Sequence, residues 1–314
     1  MWIYLIKRLG LAAATVAVAV TVLFAMIHMV PGDPASVMLG PRATPALREA
    51  LRLRLGLDDP FIVQVGAFFL SVLRGDLGID IVRDQPVATI VMRQLPYTVV
   101  LVLAAIGWSA LVGIPLGCIS AISHNSFSDK LIAVLSVSFI AIPYFVISIY
   151  ALLIFSVTLR WFPAIGVGAP GNLGDQLHHL VLPAFAVGLS WVGYIARMVR
   201  ASMLEVLGEN HVRTARAFGL SEWRIVLRYA LPIAILPTVT ILGVGIGHLI
   251  SSAVFAEIVF SRPGIGTLIF DAVGQRNYPV VMGGVLVTTV LFVISTTIAD
   301  LVTAALDPRI REKL

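Results

Sequence analysis

About six stretches of this chain, 9–30, 97–122, 131–159, 180–198, 232–256 and 280–306, each run for roughly 18 residues or more with hardly a charge among them. A helix of that length crosses about 30 Å of hydrocarbon, and no other feature narrows the fold so far. Inside lipid each backbone N–H and C=O must find its partner within its own segment. The pattern therefore predicts an all-α integral membrane protein. Composition agrees, since 12% of the 314 residues are charged and 59% hydrophobic, against about 25% charged in a soluble domain. The one cysteine, Cys118, falls inside an expected span, so no disulfide can form within the chain. The first apolar run is long for a signal peptide and lacks a small-residue cleavage site before Pro31, which predicts an uncleaved first helix.

Charge then sets the expected topology. With an even number of spans both termini share one side, which also holds Lys7, Arg8, Lys130, Arg197, Arg200, the run from Arg213 to Arg228, Arg309, Arg311 and Lys313, well in excess of its acids. On the other side basic and acidic residues balance, and most of its basic residues lie in a long loop that translocates largely regardless of charge. Both termini are expected in the cytoplasm. The net charge of +5 does not point to nucleic acid, because the basic residues form no continuous patch interleaved with aromatics.

Three regions follow: a first helix over 1–30, a helical extracytoplasmic insertion over 31–96, and a membrane core over 97–314 with an inner loop at 201–230. Pro31-Gly32-Asp33-Pro34 ends the first helix. Residues 45–55 read as an amphipathic helix with Leu47, Leu51 and Leu55 on one face, and 61–74 as a second, more apolar segment. In the third span Pro143 is expected to kink the helix, near the hydroxyls of Ser136, Ser138, Tyr144 and Ser148. Those hydroxyls serve either helix packing or a polar-lined pathway. Gly243, Gly245 and Gly247 allow close backbone approach, and His248, Ser251, Ser252 and Glu257 follow. That face is either a tight seam or part of a route for substrate. His178 and His179 are adjacent, about 100° apart on a helix, and make a poor two-point metal site.

The loop at 201–230 carries the densest positive charge. Arg213, Arg216, Arg224 and Arg228 would each cost about 2.5–3.5 kcal/mol at a helix centre in lipid, so the loop is in water. Leu204, Val206, Leu207, Val212, Ala215, Phe218 and Leu220 give a short helical stripe that halts at Gly219, and Ser221 is placed to cap a second short helix. Two short helices at a membrane face make a docking knob.

Arg213-Thr214-Ala215, three intervening residues, Gly219, nine intervening residues and then Tyr229-Ala230-Leu231-Pro232 resemble the EAA loop of binding-protein-dependent ABC importer permeases. Arg213, Thr214 and Tyr229 stand where that pattern has Glu, Ala and Ile. Pro263-Gly264-Ile265-Gly266 resembles the PG-x-G element of the same family, and PGDP at 31–34, LGLDDP at 55–60, GDLG at 75–78, LP at 95–96 and LDPR at 306–309 resemble its oligopeptide and dipeptide branch, which also includes nickel, glutathione and haem-related importers. The resemblance implies a type I importer permease of the bacterial inner membrane. It further implies that Arg213, Thr214, Ala215, Arg216, Gly219, Leu220 and Arg224 couple to an ATPase. Partners implied are a homologous second permease, two ATP-binding subunits that hold ATP and Mg, and an extracytoplasmic substrate-binding protein, with lipid around the whole.

The chain carries no G-x-x-x-x-G-K-[ST], G-x-S-x-G, H-E-x-x-H or paired cysteines, so no residue is assigned a catalytic or cofactor-binding role. Energy must come from a partner or from an ion gradient. Gradient coupling ordinarily uses ionisable groups deep in the spans, and the spans here offer little beyond His28, His248 and Asp300. The favoured reading is a peptide-translocating subunit of an ATP-driven importer. Nickel, glutathione or haem as cargo, a self-sufficient carrier and a structural scaffold are the alternatives.

Overall fold

The computed structural model describes residues 2–29, 33–40 and 44–306. The expected inner tail at 307–314, Pro31-Gly32 and the His28 side chain lie outside what is described. Apart from an isolated antiparallel bridge between Ile79 and Pro86, the described residues are helices and loops. The helices, in order, are α1 (Trp2–Met29), α2 (Pro34–Leu39), α3 (Pro45–Leu55), α4 (Phe61–Leu73), α5 (Val87–Ile122), α6 (Phe127–Ala141), α7 (Tyr144–Ala151), α8 (Leu173–Leu207), α9 (Asn210–Ala217), α10 (Glu222–Ile225), α11 (Leu231–Ala234), α12 (Leu236–Val259), α13 (Ile265–Gly274) and α14 (Tyr278–Leu306). A π-helix, Leu152–Thr158, continues α7, and a second, Val226–Ala230, joins α10 to α11.

α5, α8, α12 and α14 are long and apolar enough to cross a membrane. α1 adds a helix of 28 residues with an apolar stretch at Gly10–Met26. The third expected span departs from a kinked helix. α6 stops at Ala141, the Ile142 backbone is extended ahead of Pro143, and the next helical segment leaves at 99°. Proline disfavours a helical residue before it, and here that preference breaks the helix outright. The fourth expected span runs on through 35 residues, past both ends of the apolar window. The fifth is interrupted at Ile235, ahead of Pro237.

The chain divides into two compact units. One comprises 2–98 and 263–293. Its core joins Val20 of α1, Leu77, the start of α5 (Val87, Ile90, Val91), α13 (Ile265, Leu268, Ala272) and the start of α14 (Val280, Val281, Met282, Leu286). Gly283 sits where a Cβ would come close to the Val87 side chain, at 2.5 Å. The first N–H of α13, on Ile265, donates to Thr98 Oγ1 at 2.9 Å, so a buried hydroxyl of α5 satisfies a helix-end donor. α4 packs on α1 through Phe68 against Phe24, ring centroids 5.5 Å apart. In α3, Leu51 is buried but Leu47 is about half exposed, so the expected leucine face turns only partly inward. Asp33 caps α2 through the Ser36 N–H and also accepts from Arg52 of α3 at 3.2 Å.

The other unit comprises 99–262 and, among the described residues, 294–306. Its helices come closest at glycines. A Cβ at Gly117 of α5 would lie 2.6 Å from Ala196 O and 2.7 Å from Val199 Cβ of α8, and one at Gly113 would lie 2.9 Å from Ile195 Cβ. Gly193 of α8 meets the Ser136 carbonyl of α6, and Gly188 meets the Trp108 ring. Trp108 Nε1 donates to Ala184 O at 2.7 Å, and its ring stacks on Phe185 at 5.4 Å. Without a solvent driving force between apolar helices, such close packing is what holds them.

Candidate functional site

The arginine-rich hairpin is built on a buried floor. α8 ends at Leu207, and α9 turns Val212 and Ala215 inward while Arg213, Thr214, Arg216 and Ala217 face out. Val212 and Ala215 join one apolar cluster with Cys118 and Ala121 of α5, Ile195, Val199, Met203 and Val206 of α8, and Ile225, Val226, Ala230 and Ala234 beyond the turn. The turn requires its glycine. Gly219 has φ +75°, a left-handed conformation that costs other L-residues about 1–2 kcal/mol, and its N–H donates to Arg216 O at 2.9 Å.

Across that turn Arg216 makes a two-pronged bond to Glu222, Nε to Oε1 at 2.7 Å and Nη2 to Oε2 at 3.1 Å. The bond from Arg216 holds the Glu222 carboxyl below the usual range and raises the guanidinium. Ser221 stands at the N-cap of α10 but makes no capping bond, so the turn is closed by the ion pair and not by the expected hydroxyl. Leu220 packs against the core, whereas Phe218, expected on the buried stripe, is 81% exposed. α9 ends at Ala217, so Phe218 has left the helical period and swings outward. Trp223, five residues on, is 63% exposed, and Arg224 also faces out. Thr214 Oγ1 donates back to Asn210 O at 3.0 Å.

A second arrangement, which sequence reasoning misses, joins α8 to the loop ahead of α6. The Asp129 carboxylate, 4% exposed, accepts from Arg200 Nε at 2.6 Å and Nη2 at 2.8 Å, from Ser120 Oγ at 2.5 Å and from the Asn125 N–H at 2.9 Å. Those donors, led by Arg200, hold the carboxyl well below the usual carboxylate range. Ser126 Oγ accepts from the Asp129 N–H at 3.2 Å. Ser126-x-x-Asp129 ahead of an apolar run is the capping-box signal that could have drawn notice, although nothing local names Arg200 as the partner.

The intramembrane candidates are only partly brought together. Ser138 is exposed and donates to Val134 O of its own helix at 2.9 Å. Tyr144 reaches α12, its ring centroid 6.0 Å from that of Phe255. Ser252 donates to His248 O at 3.2 Å, and the His248 ring lies 6.4 Å from the Trp191 ring. Ser251 is exposed and Glu257 fully buried. Two of the glycines make close approaches: Gly245 faces the Trp191 ring, and a Cβ at Gly243 would overlap Ala299 Cβ. His178 Nε2 bonds with Trp161 O at 2.9 Å, and His179 Nδ1 with Asp175 O at 2.8 Å.

Comparison with known proteins places the chain. Residues 113–312 match the family model described as binding-protein-dependent transport system inner membrane component, and residues 1–102 match the model of its N-terminal part. The glutathione transport system permease protein GsiC of Escherichia coli (strain K12) is 34% identical over 310 residues, 99% of each chain. The protein of the same name from Salmonella paratyphi A is 36% identical over 311 residues, again 99% of each. Two structures titled as inward-facing conformations of the MetNI methionine ABC transporter match in fold, with TM-scores of 0.56 and 0.58 at 17% and 18% identity. Each match covers 69% of this chain and 96% of the other.

Proposed function

Because the chain belongs to the binding-protein-dependent transport system inner membrane component family, and so is an ABC importer permease of the type I fold, we propose that it carries short peptides, glutathione among them, into the cytoplasm. The energy comes from ATP hydrolysed on partner subunits. A homologous second permease, two ATP-binding subunits and an extracytoplasmic binding protein complete the machine, with both termini and the hairpin at 209–230 in the cytoplasm.

The observation that carries this reading is the hairpin itself. A stiff base, packed into α5 and α8, presents Arg213, Arg224, Phe218 and Trp223 to solvent across a turn that only glycine adopts easily. An arginine-and-aromatic projection on a rigid base suits docking on another protein, since such residues dominate interface energetics. Closure of the ATP-binding subunits would displace α9, and its buried side would push α8 and the end of α5 as one block. For the cargo, the support is the glutathione permeases at 34–36% identity over nearly the whole chain. Glutathione is a tripeptide with one unusual linkage, which fits a path for short peptides. Ser138, Tyr144, His248, Ser251, Ser252 and Glu257 stand as candidates for lining that path.

The test is reconstitution of the complete importer in liposomes with Gly219→Asp. Transport and substrate-stimulated ATP hydrolysis should fall together to baseline while membrane insertion is kept; undiminished transport refutes the coupling role. Uptake of labelled glutathione, competed by dipeptides, nickel chelates or haem in turn, assigns the cargo. Uptake by this chain alone without nucleotide would select a self-sufficient carrier instead.

A further inference from the structure

The geometry points to Asp129 and Arg200 as positioning residues that tie the loop between α5 and α6 to the hairpin, so that both move as one body; this rests on the coupling reading above. Four donors fill the approximately four lone-pair positions of the Asp129 carboxylate, two of them from a single guanidinium. A pair between two exposed charges would carry little, but this carboxylate is 4% exposed and Arg200 28% exposed. Its planar fork fixes direction as well as distance.

The pair is also well placed to transmit. Arg200 lies on the last two turns of α8, which continue through buried Met203 and Val206 to the same apolar cluster that holds Val212 and Ala215 of α9. Close-packed interiors pass on displacement with little give, so a shift of α9 reaches Arg200. From there the two-pronged bond moves the start of α6, Asn125 brings the loop, and Ser120 brings the end of α5. α6 then lies between this tie and the 99° break at 142–143, where the chain can bend. His124 Nδ1 completes the arrangement, 3.3 Å from Arg200 Nη2 and 3.5 Å from Asp129 Oδ2.

The experiment uses the complete importer, with spin labels on Phe127→Cys and Asn210→Cys in a Cys118→Ala background. Phe127 and Asn210 are both exposed, one at the start of α6 and one at the start of α9. The label-to-label distance should show one narrow distribution, the same without nucleotide and with ATP bound. With Asp129→Asn or Arg200→Met it should broaden and become nucleotide-dependent. Substrate moved per ATP hydrolysed should drop several-fold. Arg200→Lys, which keeps the charge but loses the fork, serves where the neutral variants fail to insert; it too should broaden the distribution. A distance that changes with nucleotide in the otherwise unaltered protein, or a ratio unchanged in these variants, overturns the proposal. Transport surviving Gly219→Asp would instead overturn the coupling reading beneath it.

Discussion

The Asp80 carboxylate accepts a 2.6 Å hydrogen bond from Nδ2 of Asn277, 197 residues further along the chain, and both side chains are buried. The same oxygen accepts the N–H groups of Val82 and Arg83, so one carboxylate shapes its own loop and holds that loop to the turn ahead of α14. The oxygen keeps its two backbone donors when Asn277 is removed, so what is lost is one hydrogen bond to a charged acceptor, ordinarily about 1.5–3 kcal/mol. Asn277→Ala should therefore destabilise the unit of 2–98 and 263–293 by about 1.5–3 kcal/mol. Thermal unfolding in detergent reads this as a lowered midpoint; an unchanged midpoint would show that the bond contributes nothing net.

The α5 glycines offer a controlled pair. At Gly117 a side chain must enter space held by the backbone of Ala196 and the Val199 side chain, at 2.6–2.7 Å, and neither can yield without parting α5 from α8. At Gly107 a Cβ meets nothing within 4 Å. Gly117→Val should give little or no monodisperse protein. Gly107→Ala should fold at least as well as the parent, because alanine in a helix is favoured over glycine by about 0.5–1 kcal/mol. Yield after size-exclusion chromatography compares the two.

The ion pair of Asp129 predicts a direction in pH. Its carboxyl is depressed in the folded protein relative to an ordinary aspartate, chiefly by Arg200, with Ser120 and Asn125 adding to it. The stabilisation is thus complete above the ordinary aspartate pKa and is lost as acidity approaches the folded value. The gap in melting temperature between the parent and Asp129→Asn should stay level from pH 7 to about 5 and narrow only below about pH 4. A gap that closes between pH 7 and 6 would mean that Asp129 is not the group that sets it.

What could be read in advance follows from how far each determinant reaches along the chain. Spans depend on local hydropathy, and Gly219 and the 243–247 glycines act where they stand, so these were legible. The sequence predicts a kink at Pro143, because one proline specifies only that a helix cannot continue unperturbed; the size of the turn, 99°, has no local signal. Phe218 was misplaced because a helical period was carried one residue past the end of α9. Asp129 and Arg200 lie 71 residues apart, beyond any periodicity, and only packing of the α5–α6 loop against α8 unites them.

Phe218 and Trp223 separate the folding of the hairpin from its proposed docking. Both rings already stand in solvent, 81% and 63% exposed, so removing them takes nothing from the core built by Val212, Ala215 and Ile225. Substitution of surface side chains of this kind ordinarily changes stability by no more than about 0.5 kcal/mol. At an interface the balance reverses, since buried aromatic anchors contribute about 2 kcal/mol or more each to binding. Phe218→Ser and Trp223→Ala should therefore insert and melt like the parent. Each should weaken capture of the ATP-binding subunits about 30-fold, a factor that corresponds to about 2 kcal/mol. Co-purification at graded detergent-solubilised ATPase concentrations measures this. If both variants hold the ATPases as tightly as the parent, the hairpin is not seated against them through these rings, and the arginines at 213 and 224 alone must carry the contact.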